Sequence, residues 1–167
     1  MHRTDPGTVL ASLALGALVS QAFAAGRADD YCALLSAPDF QAAGVQGARA
    51  PSVNPDEQGA YCVYAGKSSA TGGIEFDVFE TKSVADARDV YATVRGETGP
   101  ASKVAGALPG ADASEIAKVK GPPAFTMIAA RKGRLVFAIG VPTTAKSQDA
   151  VVSLAKLVLQ RGEKMTR

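Results

Sequence analysis

Two segments of this chain repeat one order of elements: strand, turn, strand, short link, helix. The first is "AYCVYAGKSSATGGIEFDVFETKSVADARDVYATVRG" and the second is "PAFTMIAARKGRLVFAIGVPTTAKSQDAVVSLAKLVLQRG". Two hairpins that each run into a helix predict an α+β domain. The strands pair antiparallel, and each helix must bury an apolar stripe against the sheet. In the first unit Ile74, Phe76 and Val78 alternate with Glu75 and Asp77, the pattern of a strand with one wet face. Ser83 with Asp86 three residues on reads as a helix start. Val84, Ala87, Tyr91 and Val94 then share a stripe that closes at Gly96. In the second unit "RKGR" is a tight turn between strands running from Phe125 to Ala130 and from Leu135 to Val141. Ser147 reads as an N-cap, Val151, Leu154, Ala155 and Val158 as the stripe, and Gly162 as the stop.

The second hairpin is uneven in bulk. Phe125, Met127, Leu135, Phe137, Ile139 and Val141 are expected on one face, which packs the helix. Thr126, Ala130, Val136, Ala138 and Gly140 are expected on the other, beneath a loop, a partner or a shallow groove. Ahead of the first unit, "DDYCALLSAPDFQAAGV" reads as one helix or two short ones, with Ser36 as a cap, Pro38 just inside and Gly44 as a stop. Between the units the composition is that of a linker, except for "SEIAKVK", which reads as one more strand. The sum is an antiparallel sheet of about five strands with helices on one face and two ββα-like units.

The N-terminus carries a different signal. Val9 to Val19 is an apolar run of signal-peptide length, too short to cross a bilayer comfortably, and Ala22 and Ala24 offer small residues for cleavage before Ala25. The competing reading is a buried N-terminal helix. Residues 1–24 are expected to be a signal peptide and 25–167 a single domain, with no membrane span after cleavage. Composition agrees, since 47% hydrophobic and 20% charged residues is a globular balance.

Removal of the leader removes the only histidine, His2. The remaining chain then lacks the base of a Ser-His-Asp or Cys-His mechanism and any imidazole ligand for zinc. Tryptophan, the best stacking residue, is absent throughout. Cys32 and Cys62 are the only cysteines. Acylation of Cys32 needs a Leu-x-small triplet before it, and "DDY" stands there instead. A redox pair calls for Cys-x-x-Cys spacing, and a thiol nucleophile calls for a base. In an oxidising compartment the simplest outcome is one Cys32–Cys62 disulfide, which the chain-entropy model values at ~3–4 kcal/mol.

Other chemistry is thinly represented. "SLAK" from Ser153 to Lys156 matches the Ser-x-x-Lys pattern of penicillin-recognising hydrolases, but Ser153 sits mid-helix and the accompanying motifs are missing. Glu75 and Asp77 share a strand face that also reads as plain solvated surface. "GADAS" has too few oxygens for a calcium loop, and no glycine-rich phosphate loop occurs. No cofactor, metal or nucleic acid is expected.

Charge is uneven along the chain. Thirteen acids face seven bases from Ala25 to Ala117, and two acids face ten bases from Lys118 onward. Lys120, Arg131, Lys132, Arg134 and Lys146 are therefore the candidate contacts for an anionic partner. Mutual neutralisation of two packed halves explains the same numbers.

With these elements in place, "YCALLSAPDFQAAG", "YCVYAG", "ALPGADAS", "FTMIAARKGRLVFAIGV" and "LAKLVLQR" together resemble small secreted or lipid-anchored domains of unknown function from bacterial envelopes. The resemblance covers most of the chain after the leader. It implies an α+β sandwich-like fold, a disulfide and a non-enzymatic envelope role, and it carries no site residues across. The expected protein is a soluble periplasmic or secreted binding or accessory module, whose partner is an envelope protein or an anionic ligand. The alternative is a histidine-free hydrolase using carboxylates or a Ser-Lys pair.

Overall fold

The computed structural model describes residues 27–67, 71–96, 102–120 and 122–165. The leader reading at 1–24 lies outside them. A short helix α1 (27–32) leads into α2 (Ala37–Ala42), then β1 (Ser52–Pro55), β2 (Gly59–Ala65), β3 (Ile74–Glu80) and α3 (Val84–Gly96). The chain continues through β4 (Ser102–Ala105), β5 (Ala113–Val119), β6 (Phe125–Lys132), β7 (Leu135–Pro142) and α4 (Ser147–Met165). All strand pairs are antiparallel, in the order β1-β2-β3-β7-β6-β5-β4.

The α+β class stands, but the sheet has seven strands and not five. The five expected strands are β2, β3, β5, β6 and β7; the two additions, β1 and β4, are the sheet's edges. Each edge strand spans only four residues and is mostly or wholly exposed, so neither carries the apolar alternation that reveals a strand in sequence.

The helices also occupy both faces and not one. α4 packs on β6 and β7 from one side, and α3 packs on the same two strands from the other. Connectivity demands this route. The chain leaves β3 in the middle of the sheet and re-enters at the far edge as β4, so α3 crosses over β7 and β6 on its way. That explains why "FTMIAARK" and "LVFAIGVP" are apolar almost throughout: strands covered on both faces cannot alternate.

The hairpin register differs from expectation by one residue. Lys132 pairs with Leu135, leaving Gly133 and Arg134 as a two-residue turn with Gly133 at φ +57°. Phe125 and Met127 therefore lie on the α3 side with Ala129 and Ala138. Ile128 and Ala130 join Leu135, Phe137, Ile139 and Val141 on the α4 side. A one-residue slip reverses every side chain, and this turn fixes it.

The main core lies on the α4 face. It joins Ile74, Phe76 and Val78 of β3 and Phe137 and Ile139 of β7 to Val151, Leu154, Ala155 and Val158 of α4, every one at 0–1% exposure. Gly162 does not stop α4. It lies inside the helix, where an added Cβ would stand 2.7 Å from Cδ2 of Leu135, so its small size admits the hairpin tip. The second cluster, beneath α3, is smaller: Val94, Met127, Ala129 and Ala138, with Phe79, Val90, Tyr91 and Phe125 at its margin. Val84, expected on the buried stripe of α3, is 43% exposed.

Cys32 and Cys62 form a disulfide with Cα atoms 5.7 Å apart, tying α1 to β2. Both residues are at most 1% exposed. Tyr64, two residues after Cys62 and on the same face, lies with its ring centroid 4.6 Å from that of Phe40. Its hydroxyl lies 2.8 Å from the carbonyl oxygens of both Cys32 and Leu35 and donates its one hydrogen between them. Burial holds the Tyr64 phenol well above its usual pKa. The N-terminal lobe is thus fastened to the sheet by one covalent bond and one buried hydroxyl. Ser36 begins α2 as expected, and the Asp39 carboxylate accepts from both its N–H and its hydroxyl, at 2.8 and 2.7 Å.

Candidate functional site

A polar cluster lies at the pole where α1, the end of β3, the β6–β7 turn and the end of α4 meet. Glu80 closes β3 and organises this pole. Its Oε2 accepts from Arg27 at 2.6 Å and from the Tyr31 hydroxyl at 2.8 Å, and its Oε1 accepts from Arg134 at 2.8 Å. Tyr31 is pushed up to about 12, first by burial and then by its bond to the Glu80 carboxylate. Nearby, Arg161 of α4 grips Asp39 with two bonds of 2.7 and 2.9 Å and donates to the Leu34 carbonyl at 2.7 Å. That guanidinium holds the Asp39 carboxyl down at about 2. Tyr31 and Asp39 are both displaced away from neutrality, so neither is poised to exchange a proton near pH 7.

Four of the depressions on the described surface bear on binding. A cleft of about 520 Å³ is lined by Arg27, Asp30, Ala33, Leu34, Glu80 and Arg161. One of about 200 Å³ shares Arg27 and Glu80 and reaches Tyr31, Asp56 and Lys82. A third, of about 360 Å³, lies between the β6–β7 turn and α4, against Leu135, Leu159 and Gly162. The fourth is a more apolar groove of about 550 Å³ beside the disulfide, between Leu35, Ala37 and Pro38 on one wall and Ala50, Pro51 and Val53 on the other. Sequence reasoning did not find the Glu80 cluster. Its other members lie 49 to 54 residues from Glu80 along the chain, and only the tertiary fold brings them together.

The residues singled out in the sequence are dispersed. Arg131, Lys132 and Arg134 lie at the β6–β7 turn, whereas Lys120 and Lys146 lie beyond the opposite strand ends, separated by the length of β6, roughly 25 Å. Arg131 is 9% exposed and pairs with Asp112 at 3.2 Å, and Arg134 is engaged by Glu80. The structure does not bring these five bases to one surface. Ser153 and Lys156 are both exposed on the outer side of α4. Glu75 and Asp77 are half-buried on the same face of β3 as Phe79, the face on which α3 packs against β6 and β7. The Tyr61 hydroxyl lies 2.9 Å from Glu75 Oε2 and from the Lys67 carbonyl. Burial and the Glu75 charge raise the Tyr61 pKa.

Among the described residues no group of three or more His, Cys, Asp or Glu side chains is placed to hold a metal ion. No described helix is long and apolar enough to cross a membrane. Comparisons with protein-family models, curated proteins and solved structures found no match.

Proposed function

We propose that this protein is an exported, disulfide-stapled binding or accessory domain of a bacterial envelope, of the kind its sequence resembles. The observation that carries the reading is the Cys32–Cys62 bond, sealed in the core at 1% and 0% exposure. A native disulfide of this kind belongs to an oxidising compartment. Two further features fit. The clefts at the α1 pole offer fixed guanidinium and carboxylate groups for recognition, with the polar groups held by one another. Ser153 and Lys156, the dyad a hydrolase would use, stand on open helix surface.

Fractionation of the producing cell, followed by intact mass measurement, tests the reading. The protein is expected outside the cytoplasm, starting at Ala25, with a mass two hydrogens below that of the reduced chain. Recovery from the cytoplasm with residues 1–24 attached and two free thiols contradicts it.

A further inference from the structure

The two edges of the sheet are not equivalent. At β1, Asp56 donates to the Gly59 carbonyl at 3.0 Å, so positions of even number in this strand face β2 and positions 53 and 55 direct their backbone groups outward. One of those two is proline, Pro55, and a second proline, Pro51, stands directly before the strand; neither carries an N–H. Only Val53 can donate from that edge. This is how native sheets block strand addition.

At β4 the phase is set by Gly106, which donates to the Ser114 carbonyl at 2.8 Å in the same register as the ladder. Positions 102 and 104 therefore bond to β5, and Lys103 and Ala105 direct both N–H and C=O away from the sheet. Neither is proline. All four β4 residues are exposed, and Val104 is 48% exposed beside this edge. A lysine in an edge strand commonly guards it by projecting outward. Here Lys103 turns back over the sheet instead. Its Nζ donates to the Arg95 carbonyl at 3.3 Å and makes an ion contact with Glu115 at 3.3 Å.

The electrostatic setting is one-sided. Among the described residues, the last turn of α3, β4, β5 and the residues flanking β5 carry Arg95, Lys103, Lys118 and Lys120 against Glu115, which pairs with Arg95 and Lys103, and Asp112, which pairs with Arg131. Two copies of this edge would set like charge against like charge.

We infer that β4 is a docking edge for an extended, acidic polypeptide segment of another protein, which adds to the sheet as an eighth strand. Main-chain bonds to Lys103 and Ala105 supply the pairing, Val104 the apolar contact, and the surrounding bases the preference for acidic side chains. The inference rests on the binding-module reading and names its surface and partner class.

The test uses the oxidised protein in whichever form the cell accumulates, so its outcome does not depend on where the protein resides. The probe is an eight-residue peptide repeating Val-Val-Glu-Glu, which carries both valine and glutamate on each face, with Val-Val-Lys-Lys repeated as control. Amide exchange followed by NMR is expected to slow at Lys103 and Ala105 with the acidic peptide, and to stay unchanged at Val53. Ala105→Pro places on β4 the block that Pro55 places on β1, and is expected to weaken binding about ten-fold or more. Lys118→Glu with Lys120→Glu leaves the edge backbone intact and is expected to lower affinity for the acidic peptide in the same direction. That second variant decides the matter if Ala105→Pro does not fold. Absence of protection at Lys103 and Ala105, equal binding of the lysine peptide, or indifference to these variants overturns the inference. Protection that appears with rising protein concentration alone assigns the edge to a second copy and overturns the acidic partner.

Discussion

Helices α3 and α4 follow the same sequence grammar, and the protein uses them differently. Each comes after a hairpin, each starts near a serine, and each carries an apolar stripe. α4 seals the main core with Val151, Leu154, Ala155 and Val158, all at 0% exposure. α3 buries only Ala87 and Val94, over a floor of Met127, Ala129 and Ala138. One helix closes a core; the other carries the chain from β3 across two strands to the far edge. Similar local patterns therefore do not make a structural repeat, because the strand that follows a helix dictates which face it takes.

If the difference is real, substitutions should divide by face. Phe137→Ala, on the α4 side and in edge-to-face contact with Phe76, is expected to cost about 3–5 kcal/mol in denaturant unfolding. Removing the staple with Cys32→Ala and Cys62→Ala is expected to cost about 2–5 kcal/mol, again on the α4 side, where both sulfurs are buried. Val94→Ala, beneath α3, removes two methyl groups worth roughly 0.8 kcal/mol each, so a loss of about 1.5 kcal/mol is expected. A Val94→Ala loss as large as that of Phe137→Ala would erase the distinction.

How much of this could be read from the sequence depends on the kind of signal involved. β3 and α4 were legible because Ile74, Phe76, Val78, Leu154 and Val158 obey the periods of strands and helices, and β6 and β7 because two apolar runs flank the "RKGR" turn. The edges were not, because Pro51, Pro55 and the exposed "SKVA" bury little and leave no period. The second helical layer was written into β6 and β7, whose apolar residues do not alternate, but the expected register put Phe125 and Met127 on the wrong side. Of the sites, the Cys32–Cys62 bond followed from cysteine number and compartment. The Glu80 cluster did not, since charge patterns say nothing about partners 49 to 54 residues away.

Smaller effects sharpen the same comparison. Asp39 is held at about 2 by Arg161, below its ordinary 3.8, so this pair stabilises the fold at pH values above about 4. The contribution is lost as pH falls from about 4 toward 2. With partial solvent screening it is on the order of 1 kcal/mol, and Arg161→Leu should abolish that segment of the acid-unfolding curve. Ser153→Ala and Lys156→Ala, on the outer surface of α4, should change stability by less than about 0.5 kcal/mol. A larger loss from either would mean that the outer face of α4 is covered.

Native-state amide exchange in low denaturant tests the inequality of the two helices most directly, because it reports the opening free energy of each helix in one experiment. The amides of α4 around Val151 to Val158 are expected to exchange only through global unfolding. Those of α3 around Val90 to Val94 are expected to open at lower free energy while the sheet stays formed. Equal protection of α3 and α4, with both opening only when the whole protein unfolds, would contradict the division of the fold into a load of core on one face and a crossing helix on the other.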